Sequence, residues 1–164
     1  MPTSSTGGSR RRGITLLEMI VVVTIIGLMV GISFPSITAG LESVRMVSAA
    51  DSVAAFLNAA VNRAQRREEA VELVIDLKTA RLAAFSNDPG FHRELTLPDG
   101  IGIEAVLSGD AAERNEEAER RIVLLPGGVV PGIGIQLLSK RGARRIIRLD
   151  PMTGYPRVES VKPS

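Results

Sequence analysis

The sequence predicts an α+β chain: one long N-terminal helix followed by a domain of short antiparallel strands. Three observations predict it. Met19 to Leu41 carries no charged residue, although Glu18 stands at its threshold. From Ile37 to Ala64, apolar residues recur every three or four positions, the stripe of a helix packed on one face. From Val71 onward the pattern changes to short β-branched runs separated by Gly and Pro turns, and no helical stripe of comparable strength returns.

The chain opens on a basic leader. Arg10, Arg11 and Arg12 precede Gly13, and the apolar run begins at Ile14. An ordinary secretory signal has an apolar stretch of roughly 7–15 residues with its small-residue cleavage site after it. Here the small residue lies before the apolar run, so a cut after Gly13 leaves the hydrophobic helix on the product, with Ile14 as the new terminus. Ile14 to Ile37 is long enough to cross a bilayer, which takes roughly 20 apolar residues. Loss of the three leader arginines takes the formal net charge from +2 to −1. The alkaline character therefore belongs to the leader, where positive charge holds that end in the cytoplasm. A general nucleic-acid reading weakens with it.

Glu18 sits one helical turn from the prospective Ile14 amine. Two readings compete: Glu18 lies idle at the membrane interface of a simple signal anchor, or, because an unpaired carboxylate in lipid is costly, it meets a positive partner. Gly27 and Gly31 form a small-xxx-small pair that permits close helix approach. Pro35 removes a backbone donor and clashes with the preceding turn, so a kink is expected near Gly31 to Pro35.

Beyond Pro35 the helix is expected to continue to about Arg67. Its apolar stripe is Ile37, Leu41, Val44, Val47, Ala50, Ala54, Leu57, Val61 and Ala64. An unbroken helix from Ile14 to Arg67 would be about 80 Å long. Strands are expected at Val71–Asp76, Arg81–Phe85, Arg93–Leu97, Ile101–Leu107, Arg121–Leu125, Ile133–Leu138, Arg145–Leu149 and Arg157–Val161. Asp88-Pro89-Gly90, Pro98-Asp99-Gly100, Pro126-Gly127-Gly128 and Met152-Thr153-Gly154 punctuate them. Ser108 to Arg120 is acidic and poor in apolar residues, and is expected to be a solvated loop, with a short partner-contacting helix as the alternative.

Candidates for chemistry are few. Without cysteine there is neither a disulfide nor a thiolate metal site. The acidic residues Asp110, Glu113, Glu116, Glu117 and Glu119 lack the alternating spacing and central Gly of a calcium loop, so no metal is assigned. His92 is the sole histidine; it follows a turn, and a solvated or capping role suits it better than catalysis. With no nucleophile triad or phosphate loop, no catalytic residue and no cofactor are assigned, and the chain is not expected to be an enzyme. Lys140, Arg141, Arg144, Arg145 and Arg148 form the basic cluster of the C-terminal domain. They are expected to be a solvated hairpin or a partner contact. No aromatic residue interleaves with them, which counts against a single-strand binding platform.

The basic leader, Gly13, the apolar residue after it and the carboxylate five residues past the glycine resemble the class III signal of type IV pilins and type II secretion pseudopilins. The C-terminal third adds to this. Ile122 to Gly128, Gly134 to Leu137, Arg145 to Leu149 and Thr153 to Val158 resemble the closing pattern of the general secretion pathway protein H and fimbrial T-type minor pilin family. Tyr155-Pro156 separates Gly154 from Arg157, a departure from that family's ending. The major pseudopilin's calcium-loop pattern is not visible. The resemblance implies a pilin-like fold, with the first half of the helix in the membrane and the second half packed on an antiparallel sheet or sandwich. It implies a leader at 1–13, a transmembrane helix at 14–37 and a periplasmic domain at 38–164. It implies cleavage by prepilin peptidase between Gly13 and Ile14, with Ile14 standing where such proteins usually carry a methylated Phe. It gives Glu18 a role in filament assembly, paired with a neighbouring subunit's amine. It places the chain in the inner membrane as a minor pseudopilin of a type II secretion system, among other minor and major pseudopilins. The alternative is a minor pilin of a type IV pilus serving motility, adhesion or DNA uptake.

Overall fold

The computed structural model describes residues 14–108 and 118–161, with the side chains of 33–39 outside that description. Its elements are the helix α1 (Leu16–Arg67) and eight strands: β1 (Val71–Asp76), β2 (Arg81–Ser86), β3 (His92–Thr96), β4 (Ile101–Ser108), β5 (Glu119–Leu124), β6 (Ile133–Ser139), β7 (Arg144–Leu149) and β8 (Pro156–Val161). The expected α+β class and all eight strands are present. The chain divides into two compact units, one ending at Gly40 and the other beginning at Leu41.

In the first unit α1 presents a surface of large apolar side chains. Ile14, Leu16, Leu17, Ile20, Ile25, Leu28 and Ile32 are all exposed. Two polar side chains in this run are satisfied locally. The Thr24 hydroxyl donates to the Ile20 carbonyl at 2.7 Å, and the Thr15 hydroxyl oxygen caps the helix start. α1 runs through Pro35.

The second unit holds the core. Stretch 40–67 is long and apolar enough to pass as a membrane span by composition. Its packing says otherwise, because Met46, Ala50, Val53, Leu57, Ala60 and Ala64 are almost completely buried against strands. It is the core helix of the strand domain. The expected stripe needs correction at its start. Leu41, Val44 and Val47 are exposed, and packing begins at Met46 on a face rotated from them. Periodicity gives the spacing of an apolar face; it does not say where along the helix the strands begin to cover it.

The strands form two four-stranded antiparallel sheets, ordered β3-β2-β1-β5 and β4-β6-β7-β8. The alternation of β1 is carried out as predicted: Val71, Leu73 and Ile75 are fully buried and their neighbours half-buried. Ile135, Leu137, Ile147 and Leu149 supply the inner face of the second sheet. The hairpin between β1 and β2 is tied by Asp76, whose carboxylate accepts from the backbone N–H groups of Lys78 and Thr79. Those bonds, with one from the Thr79 hydroxyl as the largest contribution, hold Asp76 below the ordinary aspartate range.

Candidate assembly site

The amino-terminal site is built on the first turn of α1. Thr15 precedes the helix, and its hydroxyl oxygen accepts from the Glu18 backbone N–H at 3.2 Å. Thr15 and Glu18 therefore occupy the first and fourth positions of a Thr-x-x-Glu capping arrangement. The hydroxyl satisfies one of the four donors that a helix start leaves free. Glu18 lies in the first turn, where the helix dipole favours a negative charge. Its side chain is exposed among exposed apolar neighbours. Sequence reasoning singled out Glu18 and passed over Thr15, although the Thr-x-x-Glu spacing was there to find it. Gly13 lies outside the described residues, and Ile14 is exposed beside the prospective cut. The side chain of Pro35, and with it the expected kink, also lies outside the description. An added Cβ at Gly27 or Gly31 would meet nothing within 4 Å, so this stripe is open along the helix surface.

The C-terminal basic cluster is joined to acidic residues of the same chain. Arg144 meets Glu104 through two hydrogen bonds, Nε to Oε2 at 2.8 Å and an Nη to Oε1 at 3.0 Å. Gln136 donates to the same carboxylate at 2.8 Å. A β-bulge makes this possible. The register between β4 and β6 shifts between Ile103 and Ala105, leaving Glu104 as the extra residue. Arg141 pairs with Glu42 on α1 at 2.9 Å, and Arg148 with Glu159 on β8 at 3.6 Å. Among the described residues no ion pair involves Lys140 or Arg145. Three of the five cations thus have ion-pair partners within the chain.

His92 is held between a carboxylate and an aromatic ring. Its Nε2 lies 2.9 Å from a Glu94 carboxylate oxygen, and its ring meets Phe85 edge-on with centroids 4.7 Å apart. Glu94 is held below the ordinary glutamate range by that hydrogen bond and by Arg81. Of the acidic segment, 109–117 lies outside the described residues, including Asp110, Glu113, Glu116 and Glu117. Glu119 pairs with Arg121 at 2.7 Å on β5. An Arg120 guanidinium nitrogen donates to the Ser108 hydroxyl at 3.2 Å, joining the two strand ends that flank the segment.

Residues 8–34 match the prokaryotic N-terminal methylation motif. No curated protein and no solved structure matches the chain. The matched stretch contains Arg10 to Gly13, Ile14, the capping pair Thr15 and Glu18, and the exposed apolar surface of α1. It supports a type IV pilin-like protein: a chain whose class III signal is a substrate of prepilin peptidase, which assembles with other pilins. With one apolar N-terminal helix, it also supports single-pass anchoring in the inner membrane.

Proposed function

We propose that the chain is a minor pseudopilin of a type II secretion system, of the general secretion pathway protein H type. In this reading 1–13 is a leader removed by prepilin peptidase, 14–37 spans the inner membrane and 38–164 is a periplasmic domain. The protein is a structural subunit near the pseudopilus tip and aids assembly there with major and minor pseudopilins.

The observation that carries the reading is Glu18 on the capped first turn of an otherwise apolar, exposed helix surface. A carboxylate there is costly in lipid and is relieved by a neighbouring subunit's amino terminus. The strand domain adds support. The segments resembling the secretion protein H type pattern form β5 to β8, joined by turns at Gly127, Gly142 and Gly154 with positive φ.

The test is genetic and biochemical together. Removing the gene should abolish export of type II substrates while type IV pili still assemble, and restoring the wild-type gene should restore export. Glu18→Ala should insert into the membrane, because it makes the helix more apolar, yet fail to enter filaments. Normal export with lost pili would move the assignment to a type IV minor pilin. Wild-type incorporation of Glu18→Ala would remove Glu18 from the mechanism.

A further inference from the structure

A second basic surface lies at the far end of α1, where no motif marked it. An open cleft of about 460 Å³ is lined by Asn62, Arg63, Arg66 and Arg67 of α1, with Phe91 and Arg93 at the start of β3. Arg63 is already engaged. Its guanidinium reaches Asp88 at 2.5 Å and Glu69 at 3.2 Å, and lies over the Phe91 ring at 5.0 Å. Its buried Nε has no hydrogen-bond partner among the described residues. Among the same residues, Arg66, Arg67 and Arg93 form no ion pair.

Cations in the last turn of a helix are favoured by the dipole, which accounts for Arg66 and Arg67. It does not account for Arg93. In β3 the side chains of Arg93 and Leu95 leave on one face; Leu95 packs on the core, and Arg93 stands opposite the buried Ala84. Arg93 therefore projects from the helix-facing side into the same cleft. β3 is also an edge strand, and no described strand pairs with its outer side. An edge offers backbone N–H and C=O groups to an extended peptide. A strand laid there places alternate side chains on the arginine side, about 7 Å apart. Nucleic acid fits less well, because the cleft's aromatic ring is half-buried beneath Arg63 and offers no stacking platform.

We propose that this cleft and the open edge of β3 form a docking site for an extended acidic segment of a partner protein. The segment's backbone adds to β3, and its alternate carboxylates meet Arg66, Arg67 and Arg93. The site stands independently of the filament reading, since it uses only residues of the strand domain and the helix end.

The test uses the full chain in detergent and three fluorescent probes: a peptide of alternating Thr and Glu, its isomer with the glutamates in one block, and single-stranded oligothymidine. The alternating peptide should bind best, and should slow amide exchange within His92–Thr96. Arg66→Glu/Arg67→Glu and Arg93→Glu should each weaken it by about tenfold or more, with Arg145→Glu as an unaffected control. Circular dichroism melts would confirm that the variants are folded. No binding, equal binding by the arginine variants, or unchanged exchange in β3 would overturn the proposal. Equal affinity for the block isomer would remove strand addition. Tighter binding of oligothymidine through the same arginines would assign the cleft to phosphodiesters instead.

Discussion

Arg144 grips Glu104 with two hydrogen bonds of 2.8 and 3.0 Å, and it does so because Glu104 is the bulged residue of β4. Glu104 is mostly buried, with 16% of its side chain exposed, and Gln136 donates to it as well. These bonds hold Arg144 in its charged form more firmly than usual. Its neighbour Arg145 makes no such pair among the described residues. Arg145 is half-buried like Arg144, but it leaves β7 on the opposite face, the one that carries the buried Ile147 and Leu149.

Arg144→Glu should therefore lower the thermal midpoint of the chain clearly, because it sets a second carboxylate against a largely buried one. Arg145→Glu should lower the midpoint less, because no ion pair of Arg145 is lost among the described residues. Thermal melts of the two variants side by side check this.

The corrected stripe of α1 gives a second contrast. Leu57 is fully buried and Val44 is 65% exposed, although both lie on the stripe read from periodicity. Leu57→Ala should cost about 2–5 kcal/mol, since it removes contacts and leaves a cavity. Val44→Ser should change stability by no more than about 0.5 kcal/mol. Denaturant titrations of the detergent-solubilised protein distinguish them.

Gly154 offers a third. Its φ is +71°, and an added Cβ would come within 3.2 Å of Val61 on α1. Gly154→Ala should destabilise by more than about 1 kcal/mol, because the positive φ strains any side chain there and the added Cβ crowds Val61. Gly142 has φ +85° but open space around it, so Gly142→Ala should cost less. Paired urea titrations of the two alanine variants read the difference.

Acid should loosen the C-terminal turn. The backbone N–H groups of Met152 and Thr153 donate to Asp150, at 2.9 and 3.2 Å, and Arg157 pairs with it at 3.2 Å. These partners, the Met152 N–H foremost, hold Asp150 below the ordinary aspartate value of 3.8. A depressed carboxylate contributes stability that is present above its unfolded value and lost as pH falls through its folded one. Stability should therefore fall below about pH 3.8, and Asp150→Asn should flatten that part of the profile. Melts between neutral and acid pH, compared for the two proteins, measure it.

The fold was largely legible because its signals are local. Strand alternation at Val71–Asp76, the turn at Asp88-Pro89-Gly90 and the end of α1 at Arg67 each follow from a few neighbouring residues. What sequence concealed depends on distant partners. The pairing of Arg141 with Glu42 joins residues far apart in the chain. The bulge at Glu104 is invisible in a run of apolar residues, and the cleft of Arg63, Arg66, Arg67 and Arg93 forms only when β3 meets the helix end. At the amino terminus the position is reversed. The motif is compact in sequence, and the structure adds the Thr15 cap.

The measurement that tests the central claim most directly is the amino terminus of the protein taken from membranes. Mass spectrometry should find Ile14 as the first residue in cells with active prepilin peptidase, and the unprocessed leader when that enzyme is absent. A terminus beyond Ile37, or an intact leader in the presence of active peptidase, would contradict the account.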